Sequence, residues 1–393
     1  MMQTRMLKFR LYPNKAQRQT LKQTLEDCRC IYNQLLAIHR SVYKETGKTV
    51  SQYDLNRKLT ELKSTTSSLS NVHSQVLQNI SKRIRDAYHG FFVRRKLGRK
   101  AGLPRFRKYG RYKSITYPQS GFKIEGKKLC LSKTGRINIK LHRPMRGIVK
   151  TLTIKRMPSG KWFAIFSCKI AAESGKKSNG SVGIDVGLHH YAILSDGQVI
   201  ENPRHLRKSE RKLARLQRSF SRKRKRSRNW EKTRIKVARC HEKVFNQRTD
   251  FLHKTTKKLV DSYSTIVVED LRILNMLKNH RLAKSIADAS WGWFIRMLSY
   301  KEEESGGKVV KVNPKGTTQM CSRCGFKVPK TLSDRIHACP RCGLKMDRDL
   351  NASRNILLKI PQELREFTPV EIRPLLPVKR ASPIEEAGSH PYL

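Results

Sequence analysis

Four cysteines near the C-terminal end of this chain have the spacing of a metal site. Cys321, Cys324, Cys339 and Cys342 follow the pattern C-x2-C-x14-C-x2-C. Each Cys-x-x-Cys pair can supply two thiolates from one tight turn, so the two pairs together can surround one zinc ion. Four thiolates leave no open coordination position, and we therefore predict a structural zinc ion that folds a small ribbon over residues 317–345.

Acidic residues form the second chemical feature, and they stand where predicted strands end or a helix begins. Asp185 follows one apolar strand, Glu269 follows a later one, and Asp349 precedes the last helix. Open α/β sheets place their ligands at the carboxyl ends of central strands. Converging carboxylates can hold two Mg²⁺ ions about 3.5–4 Å apart, which is a site for phosphodiester hydrolysis. These three acids are the predicted catalytic and magnesium-binding residues.

Two aspartates compete for the last of these positions, because Asp347 and Asp349 both follow closely after Cys342. If the final helix begins at Leu350, Asp349 takes the cap-like position aimed at the strand ends, and Asp347 lies in the preceding loop. An acid after a strand is also often a helix cap or a turn former, so each acid has a structural alternative. The spacing alone leaves the choice between the two aspartates open.

The composition of the chain indicates a polyanionic partner. The 393 residues include 85 Lys and Arg against 30 Asp and Glu, which gives a net charge of +55. An excess of this size is typical of proteins that bind nucleic acid over a long footprint. No stretch approaches the ~18 apolar residues of a membrane span, and the N-terminus lacks the apolar core of a secretory signal. Nine cysteines, an odd number, favour a reducing compartment, so we expect a cytoplasmic protein.

The positive charge is most concentrated in a predicted helical stretch over residues 203–256. Between Arg204 and Arg239 there are 17 Lys and Arg and only two acids. A solvated antiparallel helix pair is the structural alternative, but such helices normally mix charges of both signs. We therefore predict a nucleic-acid-binding surface here, formed by Arg204, Arg207, Arg211, Arg215, Arg222, Lys223, Arg224, Arg226 and Arg228.

Hydrophobic periodicity divides the N-terminal half into a strand, a helical block and a run of strands. Residues 4–12 alternate as a strand, Asn14 can cap the helix that follows, and further helices are predicted over 51–63 and 71–97. Six short alternating runs between residues 114 and 169 predict an antiparallel barrel or sandwich. The first strand is expected to join it, which makes the helical block an insertion. Residues 173–179 are expected to be a polar linker.

An ordered set of motifs resembles the TnpB family, the RNA-guided nucleases encoded by insertion sequences and related to type V CRISPR effectors. The motifs are Gly183-Ile184-Asp185-Val186-Gly187, Val267-Val268-Glu269-Asp270-Leu271, the two Cys-x-x-Cys-Gly pairs and Asp347-Arg348-Asp349-Leu350-Asn351-Ala352-Ser353-x-Asn355-Ile356. Phe9-Arg10-Leu11-Tyr12-Pro13-Asn14 and Gly102-Leu103-Pro104-Arg105-Phe106 also match, so the resemblance covers roughly residues 4–358.

The resemblance implies a multidomain α/β plus β fold. Its parts are an RNase H-like, RuvC-type nuclease core (179–316 and 346–362, with the basic helices at 203–256), an inserted four-cysteine zinc ribbon (317–345), an oligonucleotide-binding-like wedge barrel (1–13 and 109–178), a helical recognition lobe (14–108) and a tail (363–393). In this resemblance Asp185, Glu269 and Asp349 correspond to the catalytic acids of the family. Asp349, the acid that precedes Leu350-Asn351-Ala352, corresponds to the third acid in preference to Asp347.

The resemblance further implies RNA-guided, Mg²⁺-dependent cleavage of duplex DNA next to a short adjacent motif. The partners would be a guide RNA from the transposon end and double-stranded target DNA, with the protein monomeric on its RNA or dimeric. The resemblance also implies a prokaryotic host and action at the nucleoid. Tyr53, Arg83, Tyr88 and Phe106 are candidates for reading the adjacent motif. The alternatives are a nuclease-silent RNA-guided regulator and a DDE-type transposase, although we recognise no separate helix-turn-helix module for binding element ends.

Overall fold

The computed structural model describes residues 2–171, 180–331 and 333–361, and these residues divide into two compact units. The first unit ends at Ala171 and the second follows it. The predicted linker at 173–179 and the predicted tail at 363–393 lie outside the described residues. No helix in the described ranges is long and apolar enough to cross a membrane.

The first unit combines a seven-stranded sheet with a helical block. Its strands are β1 (Met2–Tyr12), β2 (Ser114–Tyr117), β3 (Phe122–Glu125), β4 (Lys128–Leu131), β5 (Gly135–Lys140), β6 (Ile148–Arg156) and β7 (Trp162–Ala171). The sheet is antiparallel and barrel-like, in the order β2-β6-β7-β1-β5-β4-β3. The N-terminal strand joins it in the middle, because β1 pairs with β7 on one side and β5 on the other.

Three helices lie between β1 and β2: α1 (Lys15–Thr46), α2 (Gln52–Thr65) and α3 (Ser74–Lys96). Asn14 caps α1, as predicted: its side chain accepts a hydrogen bond from the Gln17 amide, and the Gln17 side chain accepts one from the Asn14 amide. The predicted helix over 71–97 begins only at Ser74, because a 3-10 turn over Ser67–Asn71 precedes it.

The second unit is built on a five-stranded mixed sheet in the order β10-β9-β8-β11-β12. The elements of this unit are β8 (Ser181–Val186), β9 (His190–Leu194), β10 (Val199–Glu201), α4 (His205–Ser221), α5 (Arg228–Ser262), β11 (Thr265–Glu269), α6 (Ile273–Met276), α7 (Ala283–Ala289), α8 (Trp291–Ser305), β12 (Lys308–Val312), β13 (Ile336–Ala338), β14 (Lys345–Asp347) and α9 (Arg348–Leu358). The first three strands form an antiparallel meander, whereas β8, β11 and β12 run parallel.

The two faces of this sheet pack against different helices, because successive side chains of a strand point to opposite sides. Ile184 and Val268 belong to a core that includes residues of α5 and α8, such as Leu259 and Phe294. Val267, on the opposite face of β11, packs with residues of α9 and β12. The helix that carries the last predicted acid therefore covers one face of the sheet, and the basic helix α5 covers the other.

Candidate carboxylate site and zinc ribbon

Two of the predicted acids lie side by side at the carboxyl ends of neighbouring parallel strands. The last paired residues of β8 and β11 are Ile184 and Val268, so Asp185 and Glu269 come next on adjacent strands. Neighbouring strands lie about 4.8 Å apart, and residues in register share a face of the sheet. Both carboxylates therefore belong to the face that α9 covers.

Gly183 allows α9 to lie close against β8. A Cβ atom on this glycine would lie 2.2 Å from the backbone oxygen of Ser353 and 2.7 Å from the backbone nitrogen of Leu357. Asp185 is two residues further along the same face of the strand, about 6.6 Å away. Asp349 is four residues before Ser353, about 6 Å along the helix. The close approach of strand and helix therefore brings the third acid to the first two.

The proximity of the three acids affects the pKa of the Asp185 carboxyl group. Burial raises its pKa well above the usual value, and the charges of Glu269 and then of Asp349 raise it further. Burial also raises the pKa of Glu269, a residue that is only 9% exposed, whereas a hydrogen bond from Thr317 opposes that shift. The Thr317 hydroxyl lies 2.7 Å from the Glu269 Oε1 atom. The Asp185 carboxyl group, buried beside two other acids, therefore favours its protonated form unless a cation compensates its charge.

Asp347 and Asp349 have different structural roles, and the structure corrects our expectation about the helix cap. The helix begins at Arg348, not at Leu350, and Asp347 is its N-cap. The Asp347 Oδ1 atom accepts hydrogen bonds from the amides of Asp349 and Leu350, at 2.8 and 3.0 Å. Asp349 lies within the first turn. Its charge also acts more strongly on Asp185 than that of Asp347 does.

Cationic side chains surround Asp349. The Arg348 Nε atom donates to the Asp349 Oδ1 atom at 3.0 Å, and Arg335 lies 3.9 Å from the Oδ2 atom. Arg335 comes from the hairpin of the ribbon, with its side chain 59% exposed, whereas the Asp349 side chain is 19% exposed. The ribbon therefore contributes a cation directly at the edge of the carboxylate site.

The four predicted cysteines are together, and their geometry fits zinc. All four sulfur atoms lie within 4.8 Å of one another. The Cys321–Cys342 and Cys324–Cys339 sulfur pairs are 3.6 and 3.5 Å apart. A tetrahedral zinc site with Zn–S bonds of about 2.3 Å has sulfur atoms about 3.8 Å apart. The four-cysteine cluster is therefore shaped to hold one zinc ion.

The ligand atoms of the carboxylate site are further apart than those of the cysteine cluster. Among the described residues, the cysteines are the only three or more Cys, His, Asp or Glu side chains whose ligand atoms all lie within 4.8 Å of one another. Ligand atoms at opposite ends of a two-ion site are separated by up to about 8 Å. Carboxylate oxygens that are not all within 4.8 Å of one another are therefore compatible with a two-ion site. The donors are hard carboxylate oxygens, which suit Mg²⁺.

The predicted basic surface divides into two packed helices. α4 and α5 are joined by residues 222–227, and the rings of Phe220 and Trp230 lie 5.0 Å apart where the helices meet. All the predicted cations of this surface are exposed except Arg204, which is partly buried at the start of α4. A cleft of about 340 Å³ near the end of α4 is lined by Arg215, Arg218, Ser219, Arg222 and Lys223.

The four candidates in the first unit have unequal access to a partner. Tyr53 is 78% exposed and Phe106 is 48% exposed. Tyr88 is 2% exposed and stacks on His39 at 3.8 Å, so the prediction that its ring contacts nucleic acid is wrong for this structure. Arg83 is partly buried and donates to the Ser114 carbonyl at 2.8 Å, which ties α3 to β2.

Several residues of the site were not identified from the sequence. Thr317, Arg335 and the buried Asn351 reach the acids or their helix through contacts that join distant parts of the chain. The only available signal was that all three fall in or beside the predicted ribbon, next to the last acid.

Comparison with known proteins agrees with these features. A model described as a probable transposase of the OrfB/IS605 type matches residues 166–280, and one described as the TNB domain of Cas12f1-like proteins matches 291–356. A third, described as a helix-turn-helix domain, matches 1–48. Over this range the structure has one strand, β1, and one continuous helix, α1.

Two curated relatives match nearly the whole chain. A Streptomyces pristinaespiralis protein described as "Putative RNA-guided DNA endonuclease" is 36% identical, over 90% of this chain and 88% of its own length. "Putative RNA-guided DNA endonuclease InsQ" of Escherichia coli strain K12 is 34% identical, over 89% of this chain and 90% of its own. The protein in a solved Cas12f1–sgRNA–target DNA complex has a similar fold, with a TM-score of 0.56 at 15% identity, covering 86% of this chain and 81% of that one.

The barrel-like sheet, the TNB domain and the four-cysteine cluster together define a protein with a Cas12f-like fold. Within that class, the sequence identity of 36% and 34% to the two relatives, over most of both chains, identifies the family. The chain belongs to the TnpB family of insertion-sequence proteins.

Proposed function

We propose that this protein is an RNA-guided DNA endonuclease of a transposable element. The observation that carries the proposal is the convergence of Asp185, Glu269 and Asp349 at one edge of a mixed sheet, reflected in the raised pKa of Asp185. The names of the two relatives support the same activity. The sheet order, with a three-stranded meander and two further parallel strands, is compatible with an RNase H-like, RuvC-type core.

The three carboxylates would hold two Mg²⁺ ions. When bound, the ions would lower the pKa of a water molecule and compensate negative charge on the leaving oxygen. Glu269 is oriented for this role by the Thr317 hydroxyl, and Asp349 by its place in the first turn of α9. Asp347 is occupied as the helix cap, which is why we assign the third ligand to Asp349.

Arg335 would orient the DNA strand at this site. Its guanidinium lies near Asp349 and is largely exposed, so it can also bind a phosphate oxygen beside the carboxylates. A cation next to the scissile phosphate also lessens the repulsion between the DNA and the acids.

The hairpin of α4 and α5 would bind guide RNA or the guide–target heteroduplex through its phosphates. The cleft lined by Arg215, Arg218, Arg222 and Lys223 has no acid among its lining residues. Base pairing with the guide would read most of the sequence, while the protein binds the heteroduplex by shape and charge. With roughly 6–10 phosphate contacts, non-specific affinity should fall about 10³–10⁵-fold between about 50 and 200 mM salt.

A second cleft, in the helical block, is our candidate for reading the adjacent motif. It has a volume of about 480 Å³ and lies between α2 and the start of α3. Tyr53 and Lys63 line it, together with Asn56, whose buried Oδ1 atom has no hydrogen-bond partner in the described part of the chain. An exposed aromatic ring, a cation and an amide are the groups that stack on a base, bind a phosphate and read a base edge. Phe106 remains a further candidate.

The domain division predicted from the sequence stays part of this proposal. The wedge barrel would comprise 1–13 and 109–178, the recognition lobe 14–108, the nuclease core 179–316 and 346–362, and the zinc ribbon 317–345. The partners would be one transposon-end RNA and duplex target DNA.

The test is to purify the full chain together with RNA from its own element, sequence the bound RNA and use it to program cleavage of a plasmid library with randomised flanks. We expect Mg²⁺-dependent cleavage next to one short motif, lost in Asp185→Ala, Glu269→Ala and Asp349→Ala while guided binding persists. Guided binding without cleavage by the unmodified protein would indicate a nuclease-silent regulator. The matching model described as a probable transposase favours one other outcome, RNA-independent cutting or joining of element ends, which would indicate a transposase.

A further inference from the structure

A buried amide joins the helix of Asp349 to the first pair of cysteines. Asn351 is fully buried, and its side chain uses both of its polar ends on the ribbon. The Asn351 Oδ1 atom accepts from the Ser322 amide at 2.9 Å, and the Nδ2 atom donates to the Met320 carbonyl at 2.7 Å. Ser322 lies between Cys321 and Cys324. The backbone of this cysteine pair is therefore bonded to α9 two residues from Asp349.

Asn355, one turn further along α9, holds the same segment. Its Nδ2 atom donates to the Thr317 carbonyl at 2.8 Å and to the Met320 carbonyl at 2.6 Å. Thr317 is 2% exposed, and its hydroxyl donates to Glu269 at 2.7 Å. One short segment, residues 317–322, thus contacts the helix of one predicted metal ligand and the side chain of another.

The conformation of this segment depends on the folding of the ribbon, and the ribbon has only a small apolar core of its own. Among the described residues, its apolar cluster is small: Leu344 is buried with Cys321 and Cys339, and Val328 and Met346 are partly buried beside the other two cysteines. In ribbons of this kind the metal supplies most of the folding free energy. Without zinc, the turn that presents the Ser322 amide and the Met320 carbonyl to Asn351 loses its main constraint.

We propose that zinc in the ribbon sets the affinity of the carboxylate site for divalent ions, with Asn351 as the positioning residue. Zinc fixes the first cysteine pair, the pair holds Asn351, and Asn351 fixes the turn of α9 that carries Asp349. Thr317 extends the same constraint to Glu269. This inference rests on the proposed function only in taking the three acids as a divalent-ion site.

A ribbon that served only to bind nucleic acid would behave differently. Its loss of zinc would weaken DNA or RNA binding and would leave ion binding at the acids unchanged in the absence of nucleic acid. Ion binding by the protein alone therefore separates the two roles.

The experiment titrates Mn²⁺ into the full chain without nucleic acid, with and without zinc, and follows free Mn²⁺ by electron paramagnetic resonance. Asp185→Ala supplies the background from other sites. Residues that orient metal ligands typically change metal affinity by 10–100-fold, and we expect removal of zinc to weaken Asp185-dependent Mn²⁺ binding within that range.

Asn351→Leu keeps the size of the side chain and all four cysteines but removes both hydrogen bonds. It should bind one zinc ion per chain, bind Mn²⁺ at least about tenfold more weakly than the unmodified protein, and show little further loss when zinc is removed. Asn351→Ser is the second variant, should the leucine variant fail to fold. Leu358→Ala, at the exposed end of α9, is the matched control and should retain both ion affinities.

Amide hydrogen exchange gives a readout that does not depend on ion binding. Removal of zinc should speed exchange at the amides of Asp349 and Leu350 in the unmodified protein, and Asn351→Leu should exchange rapidly there with or without zinc. Unchanged Mn²⁺ affinity and unchanged exchange after zinc removal would overturn the proposal. If no Asp185-dependent Mn²⁺ binding is found even with zinc, the proposed function fails, and the exchange data still decide whether zinc controls α9.

Discussion

Replacing Gly183 by alanine should impair cleavage by moving α9 and Asp349 away from Asp185. The added Cβ would lie 2.2 Å from the Ser353 carbonyl oxygen and 2.7 Å from the Leu357 nitrogen. Both are backbone atoms, so no side-chain rotation can relieve the overlap. An ordinary carbon–oxygen contact is about 3.5 Å, so strand and helix must separate by about 1 Å.

A displacement of this size has a large effect on a catalytic site. A misplacement of about 1 Å can reduce a rate by about 10²-fold, and overpacking of a core typically costs about 1–3 kcal/mol of stability. We therefore expect Gly183→Ala to cleave DNA on the order of 100 times more slowly under single-turnover conditions, with RNA-guided DNA binding close to that of the unmodified protein.

The assay compares single-turnover cleavage, guided DNA binding and thermal unfolding in Gly183→Ala and in a matched control. Gly180→Ala is that control: this glycine immediately precedes β8, and among the described residues its Cβ would have only Tyr263, at 4.0 Å, within contact range. The control should cleave at the unmodified rate. Cleavage by Gly183→Ala within about threefold of the unmodified rate would refute the argument that the close contact of β8 and α9 sets the position of Asp349.

Three further predictions concern the acids and the cysteines. Asp349→Asn should abolish cleavage and leave folding intact, whereas Asp347→Asn, which keeps a capping side chain, should retain most activity in the same plasmid assay; the reverse result would transfer the third ligand to Asp347. Cys339→Ser should bind no zinc in a metal analysis and should expose the ribbon to proteolysis, and a protease-resistant variant would contradict a structural zinc. Because the pKa of Asp185 is raised from its usual 3.8, the folded state without divalent ions binds this proton more tightly than the unfolded state. Its contribution to stability is therefore complete below about pH 3.8 and is lost as the pH rises through the folded-state pKa. Asp185→Asn should remove that loss and raise the melting temperature near neutral pH in the presence of a chelator, but not near pH 3. An unchanged melting temperature at neutral pH would show that ionisation of Asp185 does not destabilise the folded state.

The sequence predicted the parts of the site that depend on strand direction and on cysteine spacing. Parallel strands end at the same edge of a sheet, so acids after two apolar runs were expected to meet. The choice of helix cap was not predictable in the same way, since both Asp347 and Asp349 have the side chain of a cap. Only the hydrogen bonds from the first amides of α9 distinguish them.

The failure of Tyr88 as a nucleic-acid contact has a physical reason that the pattern already contained. Val76, Ile80 and Ile84 recur every four residues along α3, and Tyr88 continues that series. Residues four apart on a helix lie on one face, so an aromatic ring in this series is expected in the core. Its position in an apolar helical stripe should have outweighed its chemical suitability for stacking on bases.

The order of elements along the chain explains the position of the four-cysteine ribbon. The strand β12 ends at Val312 and α9 begins at Arg348, so the chain between them must leave the sheet and return beside Asp185 and Glu269. A long flexible connection would allow α9 to fray at its first turn, where Asp349 lies. In this chain the connection is instead bonded to α9 at Asn351 and Asn355, and to Glu269 at Thr317. Folded around zinc as proposed, this insertion would restrict Asp349, the one catalytic candidate that follows no strand, where a displacement of about 1 Å can reduce the rate about 10²-fold.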